Sequence, residues 1–171
     1  FSPASGLPIM SPSQDIVLGI YYLTSDRGSE FVKKGVARIP YSDGLRYPFF
    51  SHPHEAMLAH AQGCIGMHAP ILVRVPGDMV VIEGMTKPRR KVCQDPSRPG
   101  KLVTTVGRCI FNDILPQGMC FYNFSLSQKG CGRVISDCYQ ALGRGATLSL
   151  LDNIKELGFR NSTLAGLSFG I

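Results

Sequence analysis

Between Ser11 and Thr24 apolar side chains recur at helical spacing, with Ile16, Val17, Ile20, Tyr21 and Leu23 on one stripe. Ser11 with Gln14 three residues on forms a capping-box pattern, and Pro12 takes the first helical position, where its missing N–H costs nothing. The pattern predicts a helix ending near Thr24 to Gly28, after a loop broken by Pro3, Gly6 and Pro8. A second helix is predicted from Ser51-His52-Pro53, again a cap residue beside a proline, through Glu55, Met57, Leu58 and Ala61 to Gly63. Between these helices Arg27 to Phe50 has no steady period and reads as irregular, with room for one short strand.

Beyond Gly63 the period changes to two. Ile71, Val73 and Val75 alternate with Leu72 and Arg74. A second β-rich run, Met79 to Glu83, follows the turn Pro76-Gly77-Asp78, and a third spans Leu102 to Val106. Together they predict a small antiparallel sheet. The segment between the second and third strands reads as a basic, proline-broken loop containing Lys87, Arg89, Arg90 and Lys91. From Gly107 the chain turns helical. Cys131, Val134, Ile135, Cys138 and Leu142 share a face of a helix from Ser127 to Leu142, which Gly143 and Gly145 should end. A further helix from about Thr147 to Leu157 places Leu148, Leu151 and Ile154 on one side, with Gly158 stopping or bending it. The fold class that follows is α+β: helices around a small antiparallel sheet, with a C-terminal helical section.

A chain of 171 residues suits one domain, or a compact domain with a helical appendage. Its charged fraction of 18% is below the roughly 25% usual in soluble domains, and with 44% hydrophobic residues it implies apolar surface meant for neighbours. The net charge of +6 is compatible with a nearby nucleic acid but decides nothing alone. The six cysteines include no Cys-x-x-Cys pair; Cys131 and Cys138 lie on the apolar helical face, which favours buried thiols over a disulfide framework or a zinc site. No apolar stretch reaches the roughly 18 to 20 residues that span a bilayer, and the N-terminus lacks a signal-peptide layout. A cytoplasmic protein with no membrane partner is expected.

The sequence offers no catalytic set. His54 and His60 are six apart, on different faces of their helix, whereas a zinc-binding helix pair is four apart. There is no Gly-x-Ser-x-Gly elbow, and Gly143-Arg144-Gly145 lacks the further glycine and preceding strand of a dinucleotide loop. Lys87, Arg89, Arg90 and Lys91 are candidate phosphate contacts, since a dense positive cluster attracts polyanions. They equally suit a solvated hairpin tip, because no aromatic is interleaved as a stacking platform requires.

Three runs carry a family resemblance: SPASGLPIMSPSQDIVLGIYYLTSD from Ser2 to Asp26, TTVGRCIFNDILPQGMCFYN from Thr104 to Asn123, and the stretch from Ser127 to Ile171. They resemble the part of the bacterial RNA polymerase beta-prime subunit that follows the catalytic barrel. The resemblance implies a pore domain over residues 1–125 and a helical section leading into the funnel region over 126–171. The family's NADFDGD motif, whose aspartates hold magnesium, is not in this sequence. The chain is therefore expected to be an excised, non-catalytic piece of a longer subunit, with no cofactor of its own and Mg2+ belonging to the complete enzyme. Implied partners are the rest of the subunit, the other polymerase subunits, nucleoside triphosphate, the RNA 3′ end, template DNA and transcript-cleavage factors, in the bacterial nucleoid.

The resemblance also gives residues roles. Ser13, Gln14 and Asp15 match the PSQD segment that lies near the inner mouth of the family's secondary channel. By local geometry alone Gln14 completes the cap and Asp15 complements the helix dipole, and the two readings are compatible. Gly107, in TTVGR, would supply a tight strand-to-helix turn, and Arg108 would pair with a carboxylate elsewhere in the subunit. Two other classes stay open: an independent basic nucleic-acid-binding or interaction module, which should cluster basic residues with aromatics, and a small hydrolase or metal enzyme, which needs a nucleophile–base or ligand pair.

Overall fold

The computed structural model describes residues 14–26, 47–93, 95 and 97–169, with side chains described as far as residue 166. The capping pattern of Ser11 and Pro12 lies outside them. The chain forms two compact units. Of the described residues, one unit holds 14–23, 114–119 and 125–169; the other holds 24–26, 47–93, 95, 97–113 and 120–124.

The second unit carries every strand among the described residues. β1 (Phe49–Phe50), β2 (Pro70–Val75) and β5 (Gly100–Thr105) form one sheet in the order β1-β2-β5. β2 and β5 pair antiparallel from Pro70↔Thr105 to Val75↔Gly100, whereas β1 runs parallel to β2. A second sheet, ordered β4-β3-β6, joins β3 (Val80–Ile82) antiparallel to β4 (Arg90–Lys91) and parallel to β6 (Phe121–Tyr122). The α+β class holds, but the strands make two mixed sheets where the sequence predicted one antiparallel sheet. The alternation of Ile71, Val73 and Val75 marks a strand with one buried face, yet two-residue strands carry no period from which a direction can be read. Part of the expected basic loop is itself strand β4.

Helix α2 (Pro53–Ala61) starts as predicted. His52 is the N-cap, its Nδ1 accepting from the His54 N–H at 3.0 Å, with Pro53 at the first position. Gly63 beyond its end takes φ 79°, the left-handed conformation that glycine supplies, and donates to the His60 carbonyl at 2.9 Å. Helix α3 (Val106–Asp113) follows β5 with no residue between. The core of this unit is Ala56, Ile71, Val73, Val75, Val81, Leu102, Val106, Cys109 and Phe121.

The first unit is helical. In α1 (Gln14–Thr24) the buried large apolar positions are Ile16, Ile20 and Leu23, one per turn, while Tyr21 is 41% exposed and off the predicted stripe. Gly19 stands on the same face. A Cβ there would lie 1.9 Å from the carbonyl oxygen of Gly158, so the two backbones touch. Gly158 belongs to α4 (Gln128–Phe169), capped by Ser127, whose Oγ accepts from the Gly130 N–H. Of the two expectations at Gly158, a stop or a bend, the stop is corrected: it is buried inside α4, and its missing side chain admits α1.

The break in α4 is at Gly143, with φ 84° and ψ −171°, after which the helix resumes at once. This non-helical residue shifts the phase of the buried face. Cys131, Val134 and Cys138 are buried before it and Thr147, Leu150, Leu151, Ile154 and Leu157 after it. Leu142 and Leu148, expected on the buried faces, are exposed. Among the described residues no helix is long and apolar enough to cross a membrane.

Candidate functional site

The strand-to-helix junction TTVGR builds the densest polar arrangement. Because β5 runs straight into α3, Thr104, Thr105 and Arg108 are held on a rigid corner. The Thr105 hydroxyl accepts from the Arg108 N–H at 3.2 Å, and the Gly107 N–H donates to the Met67 carbonyl at 3.1 Å. Gly107 is the second residue of the helix, and its φ is not positive. The Arg108 side chain is 8% exposed. Its Nε donates to the Thr24 carbonyl at 2.8 Å, one Nη to Asp26 Oδ2 at 2.9 Å and the other to Asn123 Oδ1 at 3.4 Å. The carboxylate it meets is thus this chain's own Asp26.

Asn123 extends the network. Its Oδ1 accepts from the Thr104 hydroxyl at 2.8 Å, and its Nδ2 donates to the Val103 carbonyl at 2.9 Å. Asn112 joins α3 to β6 by accepting from the Tyr122 N–H at 2.8 Å and donating to the Tyr122 carbonyl at 3.0 Å. Sequence reasoning missed Asp26, Asn112 and Asn123 as members of this set. All three lie in the runs that carry the family resemblance, Asp26 and Asn123 at their ends, and that was the one signal that could have marked them.

The basic residues Lys87, Arg89, Arg90 and Lys91 are all exposed, the first two in the connection between β3 and β4 and the last two on β4 itself. Arg90 Nε bonds Glu83 Oε1 at 2.6 Å, and that bond, aided by the charges of Arg90 and Lys87, holds the Glu83 carboxyl below its ordinary value. Part of the hairpin's charge is therefore matched internally. Gln14 and Asp15 are exposed on the first turn of α1; Ser13 lies outside the described residues. These two residues are in one unit, and Gly107, Arg108 and the hairpin are in the other.

Among the described residues the remaining titratable groups make no catalytic centre. His54 Nε2 meets Asp113 Oδ1 at 2.6 Å, with Cys109 one turn before Asp113 on α3. A Cys–His–carboxylate set would need a thiolate, but burial, then the Asp113 charge, pushes the Cys109 thiol up to about 12. His60 Nδ1 faces the Ile65 carbonyl at 2.8 Å. Among the described residues no group of three His, Cys, Asp or Glu side chains could hold a metal ion.

The family model for RNA polymerase Rpb1, domain 3, matches residues 1–171. The chain is 41% identical over 170 residues to the DNA-directed RNA polymerase subunit beta' of Rhodopirellula baltica, covering 99% of this chain and 10% of that protein. It is 39% identical over 171 residues to the same subunit of Methylacidiphilum infernorum, covering 100% and 11%. For the subunit of Acinetobacter baylyi the identity is 34% over 172 residues, covering 99% and 11%. The chain thus spans about a tenth of the length of these curated relatives.

Proposed function

Because the chain belongs to the RNA polymerase Rpb1, domain 3, family, we propose that it is a non-catalytic segment of a DNA-directed RNA polymerase beta' subunit that helps wall the secondary channel. In this reading residues 1–125 are the pore domain and 126–171 lead into the funnel region. The channel admits nucleoside triphosphates, and through it a backtracked RNA 3′ end leaves and transcript-cleavage factors reach the active centre. The other polymerase subunits and template DNA are partners of the whole enzyme, in the bacterial nucleoid. Lys87, Arg89, Arg90 and Lys91 offer phosphate contacts. Mg2+ supplies the phosphoryl-transfer chemistry of such enzymes. The donor sets of the described residues do not fit it, so no step is assigned to a metal here.

The observation that carries the reading is the exposure of Gln14 and Asp15 on the first turn of α1. A helix held backbone to backbone at Gly19 and Gly158 presents them rigidly. Their polar side chains face solvent, where a structural role would need only the cap.

Gln14→Glu in the reassembled polymerase tests it. Glu serves at this position as well as Gln and favours the helix N-terminus, so thermal stability should be equal or slightly higher. A carboxylate beside a triphosphate should weaken apparent nucleotide affinity on the order of fivefold. Parental nucleotide affinity and parental cleavage-factor response in that variant would leave Gln14 a purely structural role and remove the main support for the channel reading.

A further inference from the structure

Basic and aromatic residues that the sequence keeps far apart are assembled on the β1-β2-β5 sheet. Arg74 and Lys101 are direct cross-strand partners, so both side chains stand on the same face. Phe49, from β1, pairs at Leu72 and joins them. The Arg74 Cζ lies 5.5 Å and the Lys101 Nζ 5.4 Å from the centroid of the Phe49 ring. Phe49 is 43% exposed, and both cations are exposed. Beside them Leu72, which is buried, pairs with the half-buried Val103.

This arrangement is unfavourable in isolation. Like charges directly opposite on a sheet repel, and among the described residues neither cation has a carboxylate within ion-pair distance. An exposed ring's attraction for two cations offsets this only weakly. An anionic ligand with a flat apolar part would relieve both the repulsion and the exposure of the ring.

We propose that this face binds single-stranded nucleic acid, one base stacking on Phe49 while Arg74 and Lys101 turn to the flanking phosphates. Aromatic platforms bordered by cations are how proteins hold single strands without reading sequence. An acidic polypeptide fits less well. Its carboxylates would meet the negative face of the Phe49 ring, and β1, a two-residue edge strand, is too short for the main-chain ladder by which an extended peptide adds to a sheet. The site uses none of the residues assigned to the channel and stands or falls separately.

The test is fluorescence anisotropy of a labelled oligothymidylate titrated with the 171-residue chain at several salt concentrations. Phe49→Leu should weaken binding about tenfold with the salt dependence unchanged. Phe49→Tyr, which keeps a stacking ring, should bind as the parent does. Arg74→Gln and Lys101→Gln should each weaken binding and lower the slope of log K against log salt by about 0.7. Binding by Phe49→Leu equal to the parent's would overturn the proposal, as would absence of binding at low salt or preferential binding of oligoglutamate. Should Phe49→Leu melt early, a bromouridine-substituted strand photocrosslinked to the unmodified chain reads the same contact. Its adduct should map to Phe49, and an adduct confined to other segments would refute the site.

Discussion

Arg108 carries more of the junction than any other side chain, because a guanidinium presents a planar fork that one buried position can aim at three acceptors. It meets the Thr24 carbonyl, Asp26 and Asn123 at once. Removing it takes the guanidinium from a carboxylate that is only 32% exposed and from the Thr24 carbonyl, while Asn123 Oδ1 keeps the Thr104 hydroxyl. Arg108→Met should therefore destabilise the chain by about 2–4 kcal/mol, near the lower end of the range for breaking a buried pair because Asp26 keeps some solvent. Arg108→Lys keeps the charge and loses the fork, and should fall between the two. Urea denaturation midpoints decide it; parental stability in Arg108→Lys would show that charge alone, without the fork, holds the corner.

Along helix α4 three glycines have three different roles, and one substitution series separates them. At Gly145 a Cβ would meet nothing within 4 Å, so Gly145→Ala should stabilise by about 0.5–1 kcal/mol through helix propensity. At Gly143 there is equal space, but φ 84° with ψ −171° is a region only glycine occupies readily, and Gly143→Ala should cost about 1–3 kcal/mol. At Gly158 the backbone is compatible, but a Cβ would lie 2.6 Å from the Ile16 carbonyl oxygen and force α1 away. Gly158→Ala should cost about 1–3 kcal/mol by overpacking, with helical circular dichroism retained. Thermal melts of the three variants check the signs, and a stabilising Gly158→Ala would refute the close helix crossing. The series also shows what the sequence could not say. Glycine marks an unusual position, and its letter is the same whether the cause is its own backbone angle or a neighbouring helix.

Across the whole molecule, legibility followed length and locality. α1, α2 and the first half of α4 were readable because helical periods, and at α2 the cap at His52 beside Pro53, act within a few residues. Phe49–Phe50 and Phe121–Tyr122 were not, because a two-residue strand exists only through its partner. Among site residues, Gln14, Asp15 and Arg108 were singled out by the motifs that contain them, whereas the links from Arg108 to Asp26 and from Phe49 to Arg74 and Lys101 arise only when distant segments pack. Cysteines fall between these cases, since an apolar period located Cys131 and the core of the other unit enclosed Cys109. Each unit thus owns one thiol that burial pushes up to about 12. The unfolded thiols titrate about a midpoint near pH 8.5, so from about pH 8 up to pH 12 the unfolded chain has lost protons that the folded chain retains. Stability must then fall as pH rises through this window, by up to about 1.4 kcal/mol per unit for each thiol. Below about pH 7.5 the thiols are protonated in both states and contribute almost no slope. Replacing both with alanine should lower stability at neutral pH and flatten the alkaline decline, measured as urea midpoints from pH 7 to 10.5. At pH 8 a thiol reagent should modify exposed Cys64 quickly, and Cys109 and Cys131 only at the rate their units open. Rapid modification of either buried thiol in the folded chain, or an alkaline decline as steep without them, would show that the two cores are not closed around them.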